Sequence, residues 1–297
     1  MSGVHRDRMR GSSRRRWIQV LAAALLNGYA IGFQKGQIFT GKSKAVCVPV
    51  LNCYSCPGAL GSCPVGALQG ALGGLKGHFP FYVLGTVMVF GVLLGRVVCG
   101  FLCPFGLVQD LLHKLPTAKW KVPPELDRPA RWLKYVVLAL LVVLLPAMVK
   151  PDFGVAPPYF CKYLCPAGTL EGGLPLMLKN PQLRQAAGAL FGWKALVLFL
   201  ILALSGKVHR PFCRYLCPLG AFYALFNRFS FYQLELDKKR CVGCGRCEEV
   251  CPMEVKVIKD TNSPECIRCG KCREVCPTGA ISGGLCRKRE GARPSSL

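Results

Sequence analysis

The sequence predicts a membrane α-helical protein, four transmembrane helices with re-entrant segments, followed by a small α+β domain. Three observations predict it. The 297-residue chain is 52% hydrophobic with a mean hydropathy of +0.33, too apolar for an ordinary soluble domain carrying a net charge of +24. Four stretches, about 17–33, 79–98, 132–149 and 191–206, are long and nearly free of charge. Nineteen cysteines fall mostly into two repeated spacings, one near the C-terminus and one recurring at the ends of the apolar stretches.

A bilayer core of about 30 Å needs roughly 17–25 helical residues. Stretch 79–98 meets that comfortably, and the other three are short but sufficient. The run WLKYVVLALLVVLLPAMV is apolar on every face and bounded by aromatic and basic residues, which favours a span over a buried core helix. Arg6, Arg8, Arg10, Arg14, Arg15 and Arg16 precede the first stretch, opposed only by Asp7. Residues 1–16 therefore read as a basic tail held in the cytoplasm. No small-residue cleavage site follows WIQVLAAALLNGYAIGF, so it reads as a retained anchor. Four spans within a 17–230 membrane domain return the C-terminus to the cytoplasm, giving a multi-pass protein of the cytoplasmic membrane with both termini inside. The basic excess fits attraction to an anionic inner leaflet of membrane lipid. A nucleic-acid partner would want a basic groove with interleaved aromatics, and none is evident.

The loops GALGSCPVGALQGALGGLKG and PAGTLEGGLPLML are small and apolar enough to dip into the membrane as re-entrant segments, tolerated where protein buries them. Residues 121–129 read as a cytoplasmic linker, and 286–297 as a disordered tail in which Cys286 is a lone thiol.

Residues 231–285 hold the first cysteine spacing. Cys241, Cys244, Cys247 and Cys251 follow C-x2-C-x2-C-x3-C-P, and Cys266, Cys269, Cys272 and Cys276 repeat it. This is the ligand rhythm of a two-cluster ferredoxin, in which the fourth cysteine of each run reaches across to the other cluster. One [4Fe–4S] cluster is expected on Cys241, Cys244, Cys247 and Cys276, and a second on Cys266, Cys269, Cys272 and Cys251. Zinc knuckles stand farther apart. A cytoplasmic domain of paired βαβ type that carries electrons follows.

The second spacing is a phrase. CGFLCPFG from Cys99, CKYLCPAG from Cys161 and CRYLCPLG from Cys213 all fit C-x-[FY]-L-C-P-x-G, and CPVGAL from Cys63 is a looser copy. On the four-span topology, Cys99, Cys103, Cys213 and Cys217 meet at the inner face as ligands of a further iron–sulfur cluster. Cys161 and Cys165, with two from Cys53, Cys56 and Cys63, are the outer-face candidates, and Cys47 is a spare. Cysteines at i and i+4 share a face of a helical turn; the proline is expected to leave that turn open, and the glycine to admit a bulky core. Oxidising surroundings also permit disulfides in the outer set. One or two clusters are thus expected in the membrane domain.

Other chemistry is excluded. GQIFTGKS, Gly36–Ser43, fits the phosphate-binding G-x-x-x-x-G-K-S pattern but follows a span rather than a strand. His5, His78, His113 and His209 all lie outside mid-span and no C-x-x-C-H occurs, so no haem is expected. No Asp or Glu falls within a span, which argues for a conduit rather than a pump. Lys134 and Lys194 near span ends are expected to snorkel, and Phe101, Tyr163 and Tyr215 to pack beside the motifs.

A basic N-terminus, four spans, C-x3-C-P at Cys99/Cys103 and Cys213/Cys217, and a double ferredoxin run together resemble the membrane-bound polyferredoxins of NapH type that accompany periplasmic nitrate reductase. Related modules occur in nitrous-oxide reductase maturation and cytochrome oxidase assembly proteins. The resemblance covers the chain from about residue 80 onward. It implies a redox subunit rather than a stand-alone enzyme, moving electrons between a cytoplasmic donor or the quinone pool and an acceptor protein at or beyond the membrane. The chain departs from the pattern in CVPVLNCYSCPGALGSCPVGAL and in Cys161/Cys165, which implies a longer wire. Export of reducing power to extracytoplasmic thiols, and a cluster-based sensor or assembly factor, are the alternatives.

Overall fold

The computed structural model describes residues 2–74, 79–149 and 155–285, with side chains from residue 14. The expectations for Cys286 and the 286–297 tail lie outside these residues.

Two of the expected spans form helices of membrane length, Pro124–Met148 with 25 residues and Ala189–Lys207 with 19. At 1.5 Å per residue they cover about 37 Å and about 28 Å. Only 22% of each apolar window is buried within the protein. Trp132, Val136, Leu140 and Val143 on one helix, and Trp193, Leu196, Phe199 and Leu200 on the other, face outward. A soluble core helix would cover such a face; both helices are long and apolar enough to cross a membrane.

The expectation of four transmembrane helices is overturned. Stretch 17–33 is split: helix Ser2–Leu26 ends in a turn, and a six-residue helix, Ala30–Lys35, follows. At the break the Leu60 N–H bonds to the Leu26 carbonyl and the Tyr29 N–H to the Gly58 carbonyl, so the loop before Cys63 captures the chain. The apolar part, 17–26, covers about 15 Å. Just before it Arg15 pairs with Asp110 at 3.1 Å, and within it Gln19 is fully buried. Stretch 79–98 gives only the 14-residue helix Phe81–Leu94, about 21 Å long. It stops at Gly95 (φ +56°), where an added Cβ would stand 2.8 Å from Asn227 Oδ1, and Arg96 turns the chain into the five-residue helix Val97–Phe101. The Gly36–Ser43 segment joins Ala30–Lys35 to a four-residue 3-10 turn, and among the described residues no strand leads into it.

The C-terminal module is smaller than a pair of βαβ units. Among the described residues it has one antiparallel sheet, Tyr232–Leu236 with Ile281–Leu285, in which Leu234 faces Gly283. Helices Arg246–Glu249 and Lys271–Val275 each start after a left-handed glycine, Gly245 (φ +71°) and Gly270 (φ +83°). Leu234, Met253, Val255, Val257, Ile267 and Ile281 form its core with Cys247 and Cys272.

Charges and carbonyls fasten this module to the helical body. Arg214 reaches Asp127 at 2.7 Å and Glu254 at 2.6 Å. Asn227 Nδ2 donates to the carbonyls of Ser263 (2.6 Å) and Cys266 (3.0 Å). Glu265 receives both Arg96, at 3.1 Å, and Lys134. Lys134 was expected to snorkel; it is instead fully buried on Glu265. Helix Ser2–Leu26 also packs against Lys271–Val275, so the basic N-terminal helix and the module share one face.

Candidate metal centres

The repeated phrase folds the same way each time. A five-residue helix (Val97–Phe101, Tyr159–Tyr163 or Pro211–Tyr215) ends at a leucine with near-identical dihedrals, φ −110°, −123° and −122° with ψ about −21°. The following cysteine is extended, and its proline opens the next helix: Pro104–Leu112 after Cys103, Pro218–Phe226 after Cys217, Pro64–Leu72 after Cys63. The proline was expected to leave the preceding turn open. Instead the Cys217 and Cys165 amides still bond back to Phe212 and Phe160 at 2.9 Å. The proline's effect falls on the next helix, making the cysteine its N-cap, so that the sulfur sits at the positive end of the helix. The Gly220 N–H donates to Cys217 Sγ at 3.3 Å, and the Gly168 N–H to Cys165 Sγ at 3.3 Å.

Cys99, Cys103, Cys213 and Cys217 converge as mutual electrostatic neighbours from four helix ends. Gln109 Nε2 donates to Cys213 Sγ at 3.2 Å, while its Oε1 accepts the Phe212 N–H at 3.2 Å. Two fully buried guanidiniums flank the set: Arg96 Nη2 donates to the Cys213 carbonyl (3.1 Å) and Arg210 Nη1 to the Cys99 carbonyl (2.7 Å). Gly106 and Gly220 make room for them, since an added Cβ would lie 3.2 Å from Arg210 and 3.4 Å from Arg96. Asp110 binds Arg210 through both oxygens, at 2.7 and 2.6 Å, as well as Arg15 and His209. Burial alone would raise its carboxyl; the Arg210 guanidinium overrides this and holds it far below the usual carboxylate range.

Cys53, Cys63, Cys161 and Cys165 line one cavity of about 290 Å³ with Gly168, Gly172, Lys162 and Lys194. Gln69 repeats the role of Gln109: its Nε2 donates to Cys161 Sγ at 3.4 Å and its Oε1 accepts the Phe160 N–H at 2.9 Å. Glu171 accepts the Cys53 N–H at 2.9 Å. Of the outer candidates, Cys56 does not line this cavity; its Sγ donates to Asn27 Oδ1 at 3.5 Å. Cys47 is buried apart, its Sγ near the Val48 carbonyl. In the C-terminal module, Cys241, Cys244, Cys247 and Cys276 line one small cavity, and Cys251, Cys266, Cys269 and Cys272 line another.

Every described cysteine is a free thiol. Burial pushes Cys53 and Cys56 to about 11, Cys161 and Cys266 to about 12, and Cys217 well above the ordinary range. Such thiols ionise when a bound cation compensates. Among the described residues no three His, Cys, Asp or Glu side chains close on a single metal ion. Zinc would need its sulfurs about 2.3 Å from one centre. Four sulfurs around a cavity, with amides aimed at them, fit an iron–sulfur core instead.

Sequence reasoning missed Arg96, Arg210, Gln69 and Gln109. Their signal was present: an arginine stands three residues before Cys99 and before Cys213, and a glutamine six residues after Cys63 and after Cys103.

The comparisons with known proteins point to an iron–sulfur electron-transfer protein. The 4Fe-4S binding domain family matches residues 62–82, 77–123, 135–176 and 190–233, and the 4Fe-4S dicluster domain family matches 233–277. The methylamine utilization ferredoxin-type protein MauN of Paracoccus denitrificans is 32% identical over 216 residues, 70% of this chain and 68% of that protein. An uncharacterized protein of Methanocaldococcus jannaschii is 34% identical over 188 residues, 61% of this chain and 69% of its own length. The ferredoxin-type protein NapH of Haemophilus influenzae is 27% identical over 183 residues, 58% and 53% respectively. No solved structure matches. The chain belongs to the NapH-type polyferredoxin family.

Proposed function

We propose that the chain is a membrane-bound conduit with four [4Fe–4S] clusters in sequence. The two module clusters take Cys241, Cys244, Cys247 and Cys276, and Cys266, Cys269, Cys272 and Cys251. The inner cluster takes Cys99, Cys103, Cys213 and Cys217, and the outer one Cys53, Cys63, Cys161 and Cys165. The observation that carries the reading is convergence: thiols from separate segments of the chain meet twice, each time with a glutamine amide on one sulfur.

Contacts support the order of the sites. Cys244 and Val242 at the first module site are exposed, as suits exchange with a redox partner protein. The second module site abuts the inner set: Asn227 holds the Cys266 carbonyl, and an added Cβ on Gly100, beside Cys99, would lie 2.5 Å from the Ile267 carbonyl. Tyr223 is fully buried beside the inner set and donates to the Pro49 carbonyl at 2.8 Å, on the loop that leads to Cys53. Pro124–Met148 and Ala189–Lys207 cross the cytoplasmic membrane, with the module and the basic N-terminal helix on the cytoplasmic side. The protein is a redox subunit, exchanging electrons with a cytoplasmic protein or a quinone and with an acceptor beyond the membrane.

The test is anaerobic purification of Cys99→Ser and Cys217→Ser with low-temperature EPR and iron analysis. Each variant is expected to lose the same single cluster and keep both module clusters. Unchanged iron in both would refute the inner site.

A further inference from the structure

The inner and outer cysteine sets share two sulfur hydrogen bonds and differ in charge. Each has a glutamine amide on a sulfur, Gln109 at 3.2 Å and Gln69 at 3.4 Å, and a glycine N–H on a capping sulfur at 3.3 Å. These two hydrogen bonds, one lever on cluster potential, therefore recur at both sites. Net charge is the other lever that differs visibly.

At the inner set, Arg96 and Arg210 are fully buried and bonded to the Cys213 and Cys99 carbonyls. Their carboxylate partners do not cancel them. Glu265 is shared by Arg96 and Lys134, and Asp110 by Arg210 and Arg15, so four cations face two carboxylates. At the outer set the matching positions, three residues before Cys161 and seven before Cys63, hold Pro158 and Cys56. Glu171 stands six residues after Cys165, where the inner phrase has Tyr223 six after Cys217, and it bonds the Cys53 N–H. The outer cations that line the cavity, Lys162 and Lys194, are exposed and half-buried respectively, whereas Arg96 and Arg210 are fully buried.

We propose that Arg96 and Arg210 hold the inner site at a higher reduction potential than the outer site, so that an electron in the helical body rests at the inner site. Reduction adds one negative charge to a site. Two buried guanidiniums favour that charge at the inner set; among the described residues no fully buried cation matches them at the outer set, where Glu171, when ionised, opposes it. The arginines tune the site without ligating it. The inference rests on the two-site reading given under Proposed function.

The test is an EPR-monitored redox titration of the full chain, purified anaerobically, after iron and sulfide have been counted. Cys99→Ser and Cys53→Ser assign the inner and outer signals. The wild type is expected to show the inner midpoint above the outer one. Arg210→Gln and Arg96→Gln are expected to shift the inner midpoint downward and leave the module midpoints in place, with a smaller shift for Arg210→Lys. Glu171→Gln, which removes no cation and no packing volume, is expected to shift the outer midpoint upward. An outer midpoint above the inner one, or both arginine variants retaining the inner cluster at an unmoved midpoint, would overturn the inference. If the arginine variants lose the inner cluster, the wild-type order and the Glu171→Gln and Arg210→Lys shifts decide it. A wild type with module clusters alone would instead refute the two-site reading, and the inference with it.

Discussion

At the inner set Gly106 and Gly220 lie against guanidiniums, whereas their outer counterparts, Gly66 and Gly168, lie against the Tyr54 ring and the sulfurs of Cys165 and Cys53. One cysteine phrase, folded with the same dihedrals, thus serves two surroundings. The inner set is roofed by the C-terminal module and laced with ion pairs, while the outer set opens into a cavity of about 290 Å³. Backbone geometry belongs to the phrase, and electrostatics belong to what packs on it.

The largest effect that would break this comparison concerns ligand choice. The inner set takes both cysteines of a C-x3-C pair, but four residues before Cys63 stands Ala59, and Cys53 comes in from a loop instead. Cys53→Ser is expected to abolish one cluster, while Cys56→Ser leaves the iron content unchanged. Equal losses in the two variants would show the cavity lining to be misread.

The next prediction concerns the roof. Removing one partner of a buried pair costs about 3–5 kcal/mol. Glu265→Ala, which strands both Arg96 and Lys134, is expected to lower unfolding stability by about that much and to expose the 264–268 loop to protease. Glu171→Ala should leave that loop protected. Limited proteolysis of the two variants side by side measures the contrast.

Acid separates the halves less sharply. The folded Asp110 carboxyl titrates below its unfolded value of about 4. Its ion pairs therefore contribute fully above about pH 5 and are lost as pH falls below about 4. Thermal melting between pH 7 and pH 3 should show a loss that Asp110→Asn reduces, the remainder coming from Asp127 and Glu265, whose ion pairs with arginines are lost in the same way. An identical pH profile in the variant would contradict the assignment.

The smallest effect is symmetric. Gln69→Leu and Gln109→Leu each delete one sulfur hydrogen bond, worth about 1 kcal/mol, and should shift the midpoints of the outer and inner sites alike. Shifts of opposite sign would show that the two glutamines do not play one role.

The places where thiols gather were legible because close cysteine spacing sets sulfurs at neighbouring turns of the chain. The phrase at Cys99, Cys161 and Cys213 marked three helix ends, and the runs from Cys241 and Cys266 marked the module. The fold was less legible. Hydropathy counts apolar residues and does not register a broken backbone, so stretches 17–33 and 79–98 read as spans. In the first, a loop carbonyl and amide at Gly58 and Leu60 capture the chain; in the second, Gly95 turns it under Asn227. Lys134 misled for a related reason: its partner Glu265 lies 131 residues away, and no local pattern records such a pair.

The central claim is that thiols from separate segments of the chain share inorganic cores in the helical body as well as in the module. Iron and acid-labile sulfide analysis of the anaerobically purified full chain tests it most directly. Four [4Fe–4S] clusters predict about sixteen iron and about sixteen sulfide per chain. About eight of each, with the thiols of Cys99, Cys103, Cys213 and Cys217 free to react with alkylating reagent, would contradict it.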